Sequence, residues 1–210
     1  PRLVRAARVR IPHRWPSVHD PNGFPMTTSV LLAFHSQEGQ TARISDRIAS
    51  VMTREGATVT TASTSEDPSA TGYDGIVLGD SIHLGRHSRS LRRWITHHAE
   101  VLDDTPVALI QVSLTSAHDD AEHDDEAHQM LQRLLDATGL DPDIVGLFAG
   151  ALAYTRYGWL KRKLMTRIAE SQGDDTDTTQ DHEYTDWDAV EHFAIDALSH
   201  FRASASGQPS

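Results

Sequence analysis

The chain has 210 residues, enough for one sizeable domain, with 38% hydrophobic residues and no apolar run long enough to span a bilayer. It contains no cysteine, which excludes disulfides, thiolate nucleophiles, iron–sulfur clusters and Cys-based zinc sites, so redox activity requires a borrowed cofactor. The net charge is −11, and with five Arg and one Asp in residues 1–25 the remainder is more acidic still, a surface that repels nucleic acid and anionic membranes.

Residues 1–25 are rich in Arg and Pro and follow neither a helical nor a strand period. Without an apolar central stretch they do not read as a secretory signal. We expect a disordered leader, or sequence upstream of a start at Met26, with a partner-binding basic arm as the other reading. One folded domain is expected over 26–203 and a flexible tail over 204–210. The location expected is cytoplasmic. The acidity fits either adaptation to high internal salt or an ordinary acidic cytosolic protein.

Ser29–Phe34 is apolar after its first residue, as a strand buried on both faces should be. A polar loop follows, then a helix over Gln40–Glu55 with Ile44, Ile48, Val51 and Met52 on one face and Gly56 as its stop. Ala57–Ala62 is β-branched and reads as a second, edge-ward strand. Tyr73–Gly79 is a third strand, followed by a loop over Asp80–His87. Ser88 to about Leu102 reads as a helix with Leu91, Trp94, Ile95 and Leu102 inward. Pro106–Val112 is the fourth strand. The acidic Ser116–His128 stretch leads into a helix carrying Met130, Leu131, Leu134 and Leu135. Asp143–Phe148 is the fifth strand. A last helix starts at Thr185, where Asp188 stands at capping-box spacing, and runs to about Phe201.

Strands alternating with helices predict an α/β three-layer sandwich, a parallel sheet with helices on both faces. In such sheets ligands bind outside the carboxyl ends of the strands where strand order reverses, which points to the loops after Phe34 and Gly79. The first of these runs Ser36, Gln37, Glu38, Gly39, Gln40, Thr41. Backbone amides at a helix N-terminus, a glycine permitting close approach and two short hydroxyls suit a phosphate. Neither a Walker A motif nor G-x-G-x-x-G is present, which disfavours ATP and dinucleotides.

That loop resembles the FMN-phosphate loop of flavodoxins, and more closely that of the bacterial menaquinone-dependent protoporphyrinogen oxidases. The likeness continues through Gly79–Ser88, Ala149–Trp159, Gly173–Thr178 and Tyr184–Trp187. It implies a flavodoxin-like sheet of order 2-1-3-4-5, with FMN as cofactor. By this resemblance Ser36, Gln37, Glu38, Gly39, Gln40 and Thr41 cradle the phosphate. Ser81, Ile82, His83, Leu84 and Gly85 border the ribityl chain and ring, and Ser113, Leu114, Ala151, Leu152 and Tyr154 complete the pocket. No catalytic side chain is assigned, His83 being the candidate for proton handling, although a surface histidine is the plainer reading. His35 stands where the family carries a small hydroxyl residue.

The implied reaction is oxidation of a reduced tetrapyrrole with a quinone as acceptor. A flavodoxin-type electron carrier serving redox protein partners is the alternative, and a flavin-free fold a third. Tyr154–Lys163 joins aromatic and basic residues suited to peripheral membrane contact, quinone approach or propionate capture, or to an ordinary amphipathic helix. Association as a homodimer is left open. His118, His123 and His128 among carboxylates read as a solvated run rather than a metal site, and no metal is expected. The oxidase family is basic there, so the acidic version disfavours an anionic substrate at low salt.

Overall fold

Uninterrupted apolar character at Val30, Leu31, Leu32 and Ala33 leaves no solvent face, and all four are fully buried in β1 (Ser29–His35). The computed structural model describes residues 27–37, 39–113, 121–149, 151–152, 182–183 and 185–206. Helix α1 (Gln40–Arg54) follows, buries Ile44, Ile48, Val51 and Met52, and ends where Gly56 takes a φ of 88° and donates its N–H to Thr53. β2 (Thr58–Ser63), with its Thr-rich, half-exposed pattern, lies at the sheet edge. The remaining strands are β3 (Gly75–Ser81), β4 (Val107–Ser113) and β5 (Ile144–Ala149), and every neighbouring pair runs parallel.

The sheet order is β2-β1-β3-β4-β5, the flavodoxin-like arrangement. Alternate side chains of each strand feed two cores. On one face Leu32, Val77 and Ile110 meet α1 and the terminal helix α5 (Trp187–Ser206). On the other, Leu31, Leu78 and Leu109 meet α2 (Arg89–His97), α3 (Ala99–Asp104) and α4 (Ala121–Thr138). The α5 stripe Val190, Phe193, Ala194, Ala197, Leu198 and Phe201 is buried throughout, worth about 1.5–3 kcal/mol for each large apolar side chain. Phe201 lies so close to β3 that a Cβ on Gly75 would stand 2.2 Å from its ring. A two-stranded antiparallel pair, β6 (Ala151–Leu152) with β7 (His182–Glu183), adjoins the sheet in sequence after β5.

Several boundaries differ from the sequence reading. β3 begins at Gly75 because Asp74 works as a clamp, its carboxylate accepting from the Ser29 N–H at 2.7 Å. At its other end β3 continues through Asp80 and Ser81, whose polarity had placed them in the loop. The helix expected over Ser88–Leu102 breaks at His98, where His97 and His98 reach Asp67. The acidic stretch is helical from Ala121 onward. The last helix is capped by Asp186, which accepts from the Ala189 N–H at 3.0 Å, and not by Thr185; it extends to Ser206, into the expected tail. Among the described residues no helix is long and apolar enough to cross a membrane.

Candidate functional site

β1 and β3 lie side by side at the centre of the sheet, while the chain leaves them toward opposite edges. Their carboxyl ends therefore open a crevice flanked by the loops after His35 and Ser81. The register places His35 beside Asp80 at the floor of that crevice.

In the first loop, the Ser36 hydroxyl accepts from the backbone N–H groups of Gly39 at 3.1 Å and Ala42 at 3.3 Å. It thus serves as the cap that Gly39 cannot supply. Gly39 holds a φ of 97°, a left-handed conformation that turns the chain sharply into α1. The first intrahelical bond runs from Arg43 N–H to Gly39 O at 3.1 Å, so the leading amides of α1 precede the ladder. No acidic residue occupies the first turn of α1. The Thr41 hydroxyl is buried and, among the described residues, has no hydrogen-bond partner, an orphaned polar atom at the helix N-terminus. Gln40 turns inward to donate to the Thr185 hydroxyl at 2.7 Å, which in turn donates to Ala149 O at 2.9 Å. This chain ties the start of α1 to the end of β5, and it explains why Thr185 is not the helix cap. Gln37 is exposed, and Glu38 lies outside the described residues.

Sequence reasoning found no cation in this loop, yet Arg43 stands one turn into α1. Its guanidinium lies 5.6 Å from the Trp187 ring centre and donates to Gln40 Oε1 at 3.1 Å. The signal was present as the i, i+3 spacing of Gln40 and Arg43, which share a helix face.

The loop after β3 is a small hairpin. His83 and Arg86 exchange both backbone hydrogen bonds at 3.1 Å, and Leu84 and Gly85 between them have φ of 50° and 72°. Positive φ at both central residues matches the twist of a tight hairpin, but it strains a leucine. Leu84 is also 88% exposed. A strained apolar side chain at a loop tip beside a crevice presents a flat contact surface rather than a core group. His83 is exposed at the base of this turn, while Ser81 and Ile82 are half-buried.

The buried histidine here is His87. Its Nδ1 lies 3.0 Å from Asp80 Oδ2 and its Nε2 lies 2.9 Å from Gln111 Oε1. Gln111 spends its own N–H on Ala127 O of α4 at 3.0 Å, and Asp80 Oδ2 also accepts from the Ser88 N–H at 2.7 Å. Both ring nitrogens therefore lie within hydrogen-bond distance of an oxygen atom. Asp80 Oδ1 is buried without a partner among the described residues. The network pins the end of β3, the start of α2, β4 and α4 together under the hairpin. Asp80 and Gln111 occupy the positions after Leu78 and Leu109 on the same sheet face, so the only sequence signal was polarity at an inward register position.

His35 directs its Nδ1 toward the Ser65 hydroxyl at 3.5 Å, on the β2 side of the crevice. Ser113 is buried at the end of β4, and the Ala151 and Leu152 backbones pair in β6. Leu114, Tyr154, His118 and the Tyr154–Lys163 segment lie outside the described residues; His123 lies within α4 and His128 is exposed on it.

The flavodoxin-domain family model matches residues 31–179, a span that includes both loops. The chain belongs to the flavodoxin-domain family. It is 31% identical over 166 residues to the protoporphyrinogen IX dehydrogenase [quinone] of Escherichia coli strain K12, covering 78% of this chain and 91% of that protein. It is 35% identical over 124 residues to the protein of the same name from Leishmania major, covering 59% of this chain and 53% of that one. Among solved structures, it aligns with a rubredoxin oxygen:oxidoreductase from Desulfovibrio gigas at a TM-score of 0.54 and 11% identity, over 86% of this chain and 38% of the other. That likeness bears on the fold alone.

Proposed function

We propose that this flavodoxin domain binds FMN in the β1/β3 crevice and oxidises a reduced tetrapyrrole, with a quinone as electron acceptor. The observation that carries the cofactor reading is the Thr41 hydroxyl, buried and unpartnered at the N-terminus of α1 beside the left-handed Gly39. A phosphate brings acceptor oxygens and negative charge to the place where a helix dipole and an orphan donor need both. Bound FMN supplies the electron chemistry through its ring. The chain's own residues position it. Ser36, Gln37, Glu38, Gly39, Gln40 and Thr41 hold the phosphate, with Arg43 adding positive charge from one turn along α1. Ser81, Ile82, His83, Leu84 and Gly85 border the ribityl chain and ring, Leu84 giving an apolar face. Ser113, Leu114, Ala151, Leu152 and Tyr154 close the remaining side. The Asp80–His87–Gln111 network fixes the base of the hairpin, so His87 is a positioning residue, and His83 stays the candidate for proton handling.

The names of the relatives from Escherichia coli and Leishmania major support the tetrapyrrole and quinone. In this reading the aromatic and basic Tyr154–Lys163 segment is where an anionic substrate or a membrane surface docks. A second reading, an electron carrier that serves protein partners, draws on the net charge of −11 and the acidic start of α4.

The test is anaerobic mixing of the FMN-loaded protein with protoporphyrinogen, followed at the visible flavin bands, at low and at molar salt. The proposal expects the flavin to bleach, faster at molar salt where the acidic surface is screened, and to recover on adding menaquinone. An FMN-loaded protein that stays oxidised at both salts leaves the carrier. A protein that takes up no FMN removes the cofactor reading itself.

A further inference from the structure

Asp67, His97 and His98 converge away from the flavin crevice. Asp67 closes the 3-10 turn after β2, and the two histidines end α2, whose other end starts beside the crevice at Ser88. The ligand-type atoms of the three side chains all lie within 4.8 Å of one another. A single carboxylate oxygen, Asp67 Oδ1, stands 3.1 Å from His97 Nδ1 and 3.5 Å from His98 Nε2. Nitrogen and oxygen ligands around a tetrahedral zinc, with bonds of about 2.0–2.1 Å, stand about 3.3 Å apart. The two observed separations bracket that spacing.

One carboxylate answers two imidazoles here, and one of them is left over. His98 Nε2 is shielded from solvent and, among the described residues, has no hydrogen-bond partner, Asp67 Oδ1 lying 3.5 Å away.

The three groups are also held in place. Asp67 sits at a φ of 52°, fixed by its N–H bond to Thr64 O at 3.4 Å. The next residue, Pro68, accepts from the Trp94 indole at 2.8 Å, which ties the turn to α2. The His98 ring packs on Trp94 with centres 4.6 Å apart, and His97 stacks on His98 at the same separation. Asp67 and His97 remain open to solvent on the outer side, leaving room for a water as fourth ligand.

We propose that Asp67, His97 and His98 form a binding site for a borderline divalent cation, zinc above all, with water completing the tetrahedron. Two imidazoles and one carboxylate suit that class; magnesium and calcium demand six or more oxygens. A bound ion fastens the turn after β2 to the end of α2 and stabilises the fold by mass action.

The experiment uses the flavin-free full chain, stripped with chelator and titrated with cobalt and zinc chlorides. The expected results are a visible cobalt band of tetrahedral intensity that zinc displaces, and a zinc-dependent rise in melting temperature. His97→Ala and Asp67→Asn should each weaken zinc binding by more than the roughly 10- to 100-fold that outer-shell changes cost. Both positions are exposed, so the metal-free variants should melt close to wild type. A combined His118→Ala, His123→Ala, His128→Ala variant should keep the site. Absence of the cobalt band, unchanged zinc affinity in His97→Ala, or loss confined to the combined variant overturns the proposal.

Discussion

Asp80 and His87 form a buried pair 3.0 Å apart, their side chains 0% and 3% exposed, directly beneath the hairpin that carries Leu84. Removing one member leaves the other desolvated with a bond unmade, which costs about 3–5 kcal/mol. Asp80→Ala and His87→Ala should each lower unfolding free energy by that order. The double variant should lose less than the sum, because neither survivor is stranded. Urea unfolding of the four proteins measures the coupling, and additive losses would show the contact to be incidental.

Thr41 gives a prediction in which stability and binding move oppositely. Its buried hydroxyl has no partner among the described residues, a penalty of about 1–3 kcal/mol. Thr41→Val keeps the shape and removes the orphan, so the flavin-free protein should gain stability, by about 1 kcal/mol. FMN affinity should fall by about tenfold or more, the worth of a hydrogen bond to a charged group. Calorimetric melting and FMN titration together check both signs.

Leu84 combines a φ of 50° with 88% exposure. Asparagine tolerates that conformation better but offers no apolar face. Leu84→Asn should leave the melting temperature of the flavin-free protein unchanged or slightly higher, while weakening FMN binding severalfold. Quenching of flavin fluorescence on binding reports the affinity.

Glu191 of α5 is hydrogen-bonded by Arg47 and lies 3.4 Å from Arg54, both on α1. These bonds, that of Arg47 foremost, hold the Glu191 carboxyl below its ordinary range. A depressed carboxylate stabilises the folded state fully above the ordinary carboxylate range and loses that contribution as pH falls through the folded value. Carboxyl NMR titration should therefore find Glu191 ionised at pH values where a free glutamate is already protonated. Arg47→Ala should move its midpoint upward.

The architecture was legible because its signal is periodic. β1 is apolar at every inward position, α1 and α5 carry clean stripes, and Gly56 marks a helix end. Where side chains bond across the fold, the sequence misled. Asp80 looked like loop because its polarity is answered by the His87 ring and the Ser88 N–H, which only the folded chain brings near. Thr185 looked like a cap because its hydroxyl's true partners, Gln40 and Ala149, are distant in sequence. The turn from Ser36 into α1, with its glycine and short hydroxyls, was readable as a local pattern. Arg43 and His87 were not, since their roles depend on Trp187 and Gln111.

The proposed grip of the α1 N-terminus on a phosphate is tested most directly by comparing FMN with riboflavin, which shares the ring and ribityl chain but lacks the phosphate. Titration calorimetry on the flavin-free full chain should find FMN bound at least about a hundredfold more tightly, as several amide and hydroxyl bonds to a dianion require. Equal affinities for the two flavins would contradict the account.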